Sequence, residues 1–440
     1  MARPLLVALI VLGAASAAAA QTPLSLDEAI ALALAGNRTL QSATLEIAKA
    51  EQQVADARSR RYPVFSVETQ AAQLLTPVSV TFPAGAFGDY SGTGPIPAAD
   101  TKVTTPRRVS LYLSAQATQP LSQLFALNLG VKLSAAGVSL AAESVRATRL
   151  AVVHNVRRQY YAVQQTASEL ESADYAIDLL QQVSRDVANR VLQRVALKAD
   201  GLDVEMRLAR AELTRVTLQH TLDSQKEQLN LLLGRDLRTP FDVQTVPPLS
   251  PVSFDLAAAQ ARALAVRPDV RQSRLRLEQA DLARRVAQAD RLPDVGLALS
   301  YLSPLTIEGA PTNIASLGLQ LRWEPFDWGR KERAVATRRL EMTQAEHAVT
   351  DAEQRALSEI NTEHRRLEDA QARLRVAQLA QAAARETARV KVTQYQAQAA
   401  LLADVLQSEA ALADTDNQYR QALLAFWTAA AALEHAVGEE

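Results

Sequence analysis

Apolar and polar positions along this chain repeat with two different periods, and the change between them is sharp. Leu317, Leu319, Leu321 and Trp323 alternate with Gly318, Gln320, Arg322 and Glu324. Period two places successive side chains on opposite faces of a strand. The stretch 108–118 does the same, with Leu111, Leu113, Ala115 and Ala117 on one face and Ser110, Tyr112, Ser114, Gln116 and Thr118 on the other. "VFSVETQA" after Pro63 and "VGLALSY" after Pro293 also alternate. Four strands are therefore predicted, at about 64–74, 108–118, 294–303 and 315–324. The Pro/Gly/Asp-rich "PVSVTFPAGAFGDYSGTGPIPAADTKVTTP" between the first pair, and "SPLTIEGAPTN" between the second, read as loops.

Elsewhere the pattern is helical. No proline falls between Pro120 and Pro240 or after Pro325, and no glycine falls from Lys331 to Val437. Met342, Ala345, Val349, Ala352 and Ala356 step by three and four, and after a stutter Ile360, Leu367, Ala370, Leu374 and Ala377 resume. That is coiled-coil spacing, with a stutter that locally unwinds the supercoil. A helix of about seventy residues would be ~100 Å long at ~1.5 Å per residue. A turn is expected where Asp200-Gly201 interrupts Leu197 to Val204, with a counterpart in Gln396 to Leu406.

The two periods recur together. "LSLDEAIALALAGNRTL…ARSRRYP" and "FDLAAAQARALAVRPDV…AQADRLP" align without a gap at an offset of 230 residues. Leu26/Leu256, Leu34/Leu264, Leu45/Leu275, Arg61/Arg291 and Pro63/Pro293 are identities. Both halves close alike, with "LNLLLG" at Gly234 and "LEHAVG" at Gly438. An internal duplication accounts for this: a first repeat over 21–235, a Pro-rich linker over 236–253, and a second repeat over 254–440. Each repeat reads helix, β-hairpin, long helix, turn, helix.

The N-terminus adds a location. "MARP", an apolar run from Leu5 to Ala14 and small residues up to Ala20 read as a secretory signal peptide over 1–20. The run is shorter than the ~20 residues that a membrane-spanning anchor needs. The chain holds no cysteine, so neither a lipidated thiol nor a disulfide framework is expected. No later window is expected to reach 18 apolar residues. The nearest, Ala422 to Leu433, lies between Arg420 and Glu434. A net charge of −1 offers no electrostatic case for nucleic acid.

Catalytic chemistry finds no foothold. The histidines (His154, His220, His347, His364 and His435) lack metal-ligand spacing and read as isolated surface residues. No P-loop, nucleophile elbow or Gly-rich phosphate cradle occurs, so no enzyme activity, metal or cofactor is expected.

Four strands with one apolar and one polar face pose a physical problem. In a membrane their open edges would be unpaired, so the sheet must close. The smallest such barrels have about eight strands, so several chains would share one barrel. A soluble sandwich is the competing arrangement. At the last strand's end, Trp323 would suit a membrane–water interface. Pro325 cannot donate to a ladder, and Asp327 is placed to cap a helix from Arg330.

These features resemble the TolC family of outer-membrane efflux proteins. The duplicated "LSLDEAIALALAGNRTL" opening, the Arg-x-Pro approach to the odd strands, "TFPAGAFG", "PFDWGR" and the Gly-terminated repeat ends carry the resemblance. It implies a mainly α protein with a membrane β-barrel: a homotrimer whose twelve-stranded barrel continues into a long periplasmic α-helical coiled-coil barrel. It also implies the outer membrane of a Gram-negative bacterium, a periplasmic adaptor (membrane fusion protein), and an inner-membrane pump of RND, ABC or MFS type. Within that family pattern Tyr395 and Asp404 match the polar gate of the periplasmic entrance. Gln398, Ala400 and Gln407 replace its Gly, Arg and second Asp. Three copies of Asp404 would make a cation-preferring ring; a helix-start carboxylate favoured by the dipole is the alternative. Leu197, Lys198, Asp200 and Asp203 sit at the equivalent tip of the first half, where an adaptor would grip, or simply form a polar turn. A periplasmic coiled-coil structural or adaptor protein is the alternative function.

Overall fold

The computed structural model describes residues 23–439, apart from 74, 105–108, 196, 245–253, 306–312, 398 and 401. The expected signal segment, the second half of the linker and Gln398 lie outside the described residues. In the first half of the chain, α1 (Leu26–Gly36) and α2 (Arg38–Ser59) lead to β1 (Val64–Gln73). Four short strands follow: β2 (Ser79–Phe82), β3 (Asp89–Tyr90), β4 (Gly94–Pro95) and β5 (Thr101–Thr104). Then come β6 (Val109–Pro120), α3 (Leu124–Leu192) and α4 (Lys198–Leu233). In the second half, α5 (Leu256–Val266) and α6 (Pro268–Ala289) lead to β7 (Asp294–Pro304), β8 (Ile314–Arg322), α7 (Arg330–Gln396) and α8 (Leu402–Val437). The starts of α5, α6 and β7 follow those of α1, α2 and β1 by the same 230 residues.

Contacts divide the chain into two compact units. One holds Met1–Glu46, Ala141–Ser273 and Ala348–Glu440, and the other Ile47–Leu140 and Arg274–His347.

The first unit is helical. Ser25 starts α1 with a capping box: its Oγ accepts the Glu28 N–H (3.2 Å), and the Glu28 carboxylate accepts the Ser25 N–H (3.0 Å). At the corresponding place Asp255 starts α5 by accepting the N–H groups of Ala257 and Ala258. Small residues then let helices approach. A Cβ on Gly234 would stand 2.1 Å from the Gly36 carbonyl oxygen, and one on Gly36 would stand 2.5 Å from the Leu233 oxygen. Gly234 also takes the left-handed φ of 71° that ends α4, as Gly438 does at 89° after α8. Ala29 and Ala33 of α1 pack with Val156, Tyr160, Leu229 and Leu233. Ala259 and Ala263 of α5 pack with Ile360, Leu374, Leu433 and Val437. Much of the three-and-four pattern of α7 is this buried stripe, including Ala352, Ala356, Ile360, Leu367, Ala370 and Leu374.

The second unit carries the sheet, in the order β1-β6-β7-β8, with every neighbouring pair antiparallel. Gln119 Nε2 donates to the Arg61 carbonyl (3.0 Å), and Ser122 Oγ accepts the Val295 N–H (2.7 Å), tying strand ends to their flanking turns. Leu129 and Ala136 of α3 pack on Leu282 of α6.

Several expectations are corrected. Asp200-Gly201 does not break the helix: α3 stops at Leu192, and α4 already runs from Lys198. The Asp200 carboxylate accepts the Leu197 N–H (3.0 Å) and so satisfies a donor at the helix start. Likewise the second break ends by Leu402 rather than reaching Leu406. The segment between β1 and β6, expected to be loop, contains two small antiparallel pairs, β2 with β5 and β3 with β4. Phe82 packs on Phe87 there (5.2 Å between centroids), and Gly85, Gly88 and Gly94 supply positive φ. β8 ends at Arg322, so Trp323 and Glu324 lie just beyond the ladder. Finally, one 18-residue window of α3 has a mean hydropathy of 1.5, long and apolar enough to cross a membrane by composition alone, although only 11% of it is buried. Leu, Val and Ala raise such a mean even where polar residues interrupt the apolar run.

Candidate functional site: the amphipathic sheet and the helix tips

Strand register sorts the sheet into two faces. Val67 lies opposite Ala115, Ala115 opposite Tyr301, Ala117 opposite Leu299 and Leu299 opposite Leu317. One face therefore carries Phe65, Val67, Leu113, Leu297, Leu299, Leu319 and Leu321. The other carries Ser66, Glu68, Gln70, Tyr112, Ser114, Gln116, Ser300, Ser316, Gln320 and Arg322. On the outer strands the apolar face is bare, with Phe65 77% exposed and Leu319 73%, whereas Leu113 on β6 is half-buried. Leaving such a surface in water forgoes about 25 cal/mol per Å², and contiguous exposed apolar area marks a contact site. The outer strands β1 and β8 each pair on one side only, so two ladders of backbone groups face outward. The polar face makes its own links, such as Ser300 Oγ to Ser316 Oγ at 2.6 Å.

Where β8 meets α7, Asp327 does the capping. Its two oxygens accept the N–H groups of Gly329 (3.0 Å) and Lys331 (2.9 Å), which hold its carboxyl below the usual carboxylate range. Arg330 bridges back to Glu324 at 2.5 Å. Trp328 stands at φ 57° beside Gly329 at φ 80°. Its ring meets Phe326 edge-on at 4.7 Å between centroids.

The helical unit holds polar clusters that no local signal announced. His154 and His435 come together with ring centroids 4.7 Å apart, half-buried, so they are not the isolated surface residues expected. Burial pushes both imidazoles below their ordinary pKa, and His154 further lowers that of His435. Their 281-residue separation in sequence hides the pair from any spacing argument. Nearby, Arg267 is 12% exposed on its side chain. It bridges Asp269 and Glu359, each at 2.8 Å, and donates to the Ala436 carbonyl at 2.7 Å. Burial opposes its charge, but the two carboxylates outweigh that and raise its pKa. Asn37 performs the equivalent task in the first repeat, donating to the Leu232 carbonyl at 3.0 Å. Tyr160 places its hydroxyl within 2.8 Å of the Leu24 carbonyl, beside the Leu24–Val243 parallel bridge. Adjacent Tyr161 is pushed up to about 12 by burial.

The expected tip residues fall at two helix junctions. Leu197 is exposed as the residue before α4, Lys198 opens that helix, and Asp203 pairs with Arg207 at 2.8 Å. Tyr395 sits in the last turn of α7. Asp404 lies half-buried in the first turn of α8, and Gln407 is exposed one turn later. Ala397, Ala399 and Ala400 lie between the two helices. Among the described residues no group of three or more His, Asp or Glu is placed to hold a metal ion.

A family model for outer membrane efflux proteins matches residues 29–235 and 260–439. No curated protein matches the sequence. Among solved structures, CusC aligns over 94% of this chain and 92% of its own at 19% identity, with a TM-score of 0.73. The CmeC outer membrane channel of Campylobacter jejuni aligns over 94% and 85% at 15% identity, with a TM-score of 0.76. The outer membrane protein VceC of Vibrio cholerae aligns over 94% and 96% at 19% identity, with a TM-score of 0.70. At these identities the structural likeness establishes the fold, while the family pattern spans most of the chain. With its amphipathic sheet, its long paired helices and that pattern in register, the chain belongs to the outer membrane efflux protein family, the TolC-like outer-membrane channels, whose work is transport and not catalysis.

Proposed function

We propose that this protein is the outer-membrane channel of a tripartite efflux or type I secretion system, a passive trimeric conduit that exports small molecules from the periplasm or cytoplasm to the exterior. The observation that carries the proposal is the sheet: four strands, one bare apolar face, one polar face and two unpaired edges. Three copies joined edge to edge would close twelve strands, present the apolar faces to lipid and leave a polar lumen. The long helices would continue the conduit into the periplasm as a coiled-coil barrel. With no cysteine, the exported chain would carry no thiol-linked lipid.

The remaining assignments rest on this arrangement. Residues 1–20 are a signal peptide, 21–235 and 254–440 are the repeats, and 236–253 join them. Leu197, Lys198, Asp200 and Asp203 offer the grip for a periplasmic adaptor. Tyr395, Asp404 and Gln407 line the entrance, with Asp404 as its remaining carboxylate. An inner-membrane pump of RND, ABC or MFS type supplies the energy. Extraction of outer membranes into detergent should yield a heat-modifiable trimer. Recovery of the protein in the soluble periplasmic fraction would refute the conduit and favour a coiled-coil structural or adaptor protein.

A further inference from the structure

At the helix end of the sheet, the polar face borders an open cavity of about 410 Å³. That volume falls in the range of about 300–1,000 Å³ usual for small-molecule sites. Arg60, Thr118, Gln123, Asp294, Gln320 and Arg322 supply its polar walls. An adjoining cavity of about 180 Å³ shares Gln123, Asp294 and Arg322 and adds Asp290 and Lys331.

Two of these charges are placed to pair and do not. Asp294 and Arg322 lie directly opposite each other in the β7–β8 ladder, where Cα atoms stand about 4.5–5.5 Å apart. That is within easy reach of an Arg and an Asp side chain. Other charges of the joint are engaged: Arg60 bridges Asp56 at 2.8 Å, and Arg330 bridges Glu324 at 2.5 Å. Among the described residues, neither the Asp294 carboxylate nor the Arg322 guanidinium has an ion-pair or hydrogen-bond partner. Both line the two cavities instead, one acceptor and one donor on neighbouring strands.

We propose that this cavity is a transit site for small zwitterions, whose anionic group meets Arg322 and whose cationic group meets Asp294. An ion of one sign would be attracted by one of these side chains and repelled by the other, whereas a zwitterion satisfies both. The planar guanidinium suits a carboxylate in particular, because it can donate two parallel hydrogen bonds. Asp290 and Lys331 extend the same balance of one charge of each sign into the adjoining cavity. Exposed ion pairs are individually weak, and a conduit needs weak sites, since its cargo must leave as readily as it enters. The site rests on the reading of the polar sheet face as the lumen wall, and it adds a chemical class of cargo to that reading.

The test uses the full-length assembly in planar bilayers. The probe is the zwitterion 6-aminohexanoate, and hexanoate and pentylammonium are its single-charge counterparts. Open-channel current should fall more with 6-aminohexanoate than with either counterpart. Arg322→Gln and Asp294→Asn should each weaken that block about two- to fivefold, the scale of one exposed ion pair. A second measurement leaves both charges in place. The chain has no cysteine, so Gln320→Cys carries a single thiol on the cavity wall. A water-soluble methanethiosulfonate should modify it, and 6-aminohexanoate should slow that reaction more than hexanoate does. Equal block by hexanoate, or block unchanged in both single variants, would overturn the site while the conduit stands. Modification of Gln320→Cys at the same rate with and without 6-aminohexanoate would overturn it as well. A protein that forms no channel, with a Gln320→Cys thiol that resists the reagent, would refute the lumen wall and the site with it.

Discussion

Adding a single methyl group at Gly234 should show how tightly α1 is clamped to the end of α4. In Gly234→Ala the new Cβ would fall 2.1 Å from the Gly36 oxygen and 2.4 Å from its carbonyl carbon. Both are backbone atoms, so no rotamer change relieves the clash, and one helix end must move. The left-handed φ of 71° adds about 1–2 kcal/mol for any residue with a Cβ. Overpacking that forces a backbone shift adds about 1–3 kcal/mol, for a loss of about 2–5 kcal/mol in all. Gly438→Ala is the control at the matching position in the second repeat. Its φ is 89°, and a Cβ there would meet Arg267 Cγ at 3.2 Å and Arg267 Cα at 3.3 Å, tight contacts but about 1 Å longer than those at Gly234. It should lose little beyond the backbone term, about 1–2 kcal/mol. Denaturant unfolding in detergent, followed by far-UV circular dichroism, reports both in the same helical unit. Gly36→Ala, which meets the Leu233 oxygen at 2.5 Å, should combine with Gly234→Ala less than additively, because both press on one backbone contact. Equal losses for Gly234→Ala and Gly438→Ala would refute the close-approach argument and leave only backbone strain.

Other perturbations probe different parts of the molecule. His154 and His435 are held neutral by burial, so the unfolded chain binds protons first as pH falls through about 6.5. The stability they contribute is full above that pH and is lost as the pH drops toward their lowered folded-state values. Arg157, Arg158 and Arg267 face the pair and work in the same direction, whereas Glu359, Glu363 and Asp269 oppose it. His435→Gln should flatten the acid side of a melting-temperature profile; an unchanged slope would place the titration elsewhere. Leu113→Arg should impair outer-membrane assembly by about 2–4 kcal/mol if the residue reaches the membrane midplane, while Ser114→Arg on the polar face should assemble normally. Equal trimer yields from the two would contradict the assigned faces. Asp404→Ala should change cation block or conductance in planar bilayers, and identical single-channel records would return Asp404 to its role as a helix-start carboxylate.

The sequence by itself determined the element types and their order. Period two at Leu317, Leu319 and Leu321 and period 3.6 at Ala352, Ala356 and Ile360 are local consequences of backbone geometry, so they can be read without neighbours. The constant offset of 230 residues marked equivalent positions, and it extends to the caps at Ser25 and Asp255. Asp327 was legible as a cap because its hydrogen bonds span only two and four residues. Where two local signals competed, composition misled. Asp200-Gly201 looks like a breaker, yet the Asp200 side chain satisfies the helix start and the helix runs on. Tertiary structure alone decided what long-range contact controls. Asn37 and Arg267 share little chemistry, but both reach the last turn of a distant helix. The Gly36–Gly234 contact, the His154–His435 pair and the exposed left-handed Trp328 depend on where remote chain segments meet or fail to meet. Strand pairing likewise set which apolar rows merge into one face, because register is a relation between strands and not a property of any one of them.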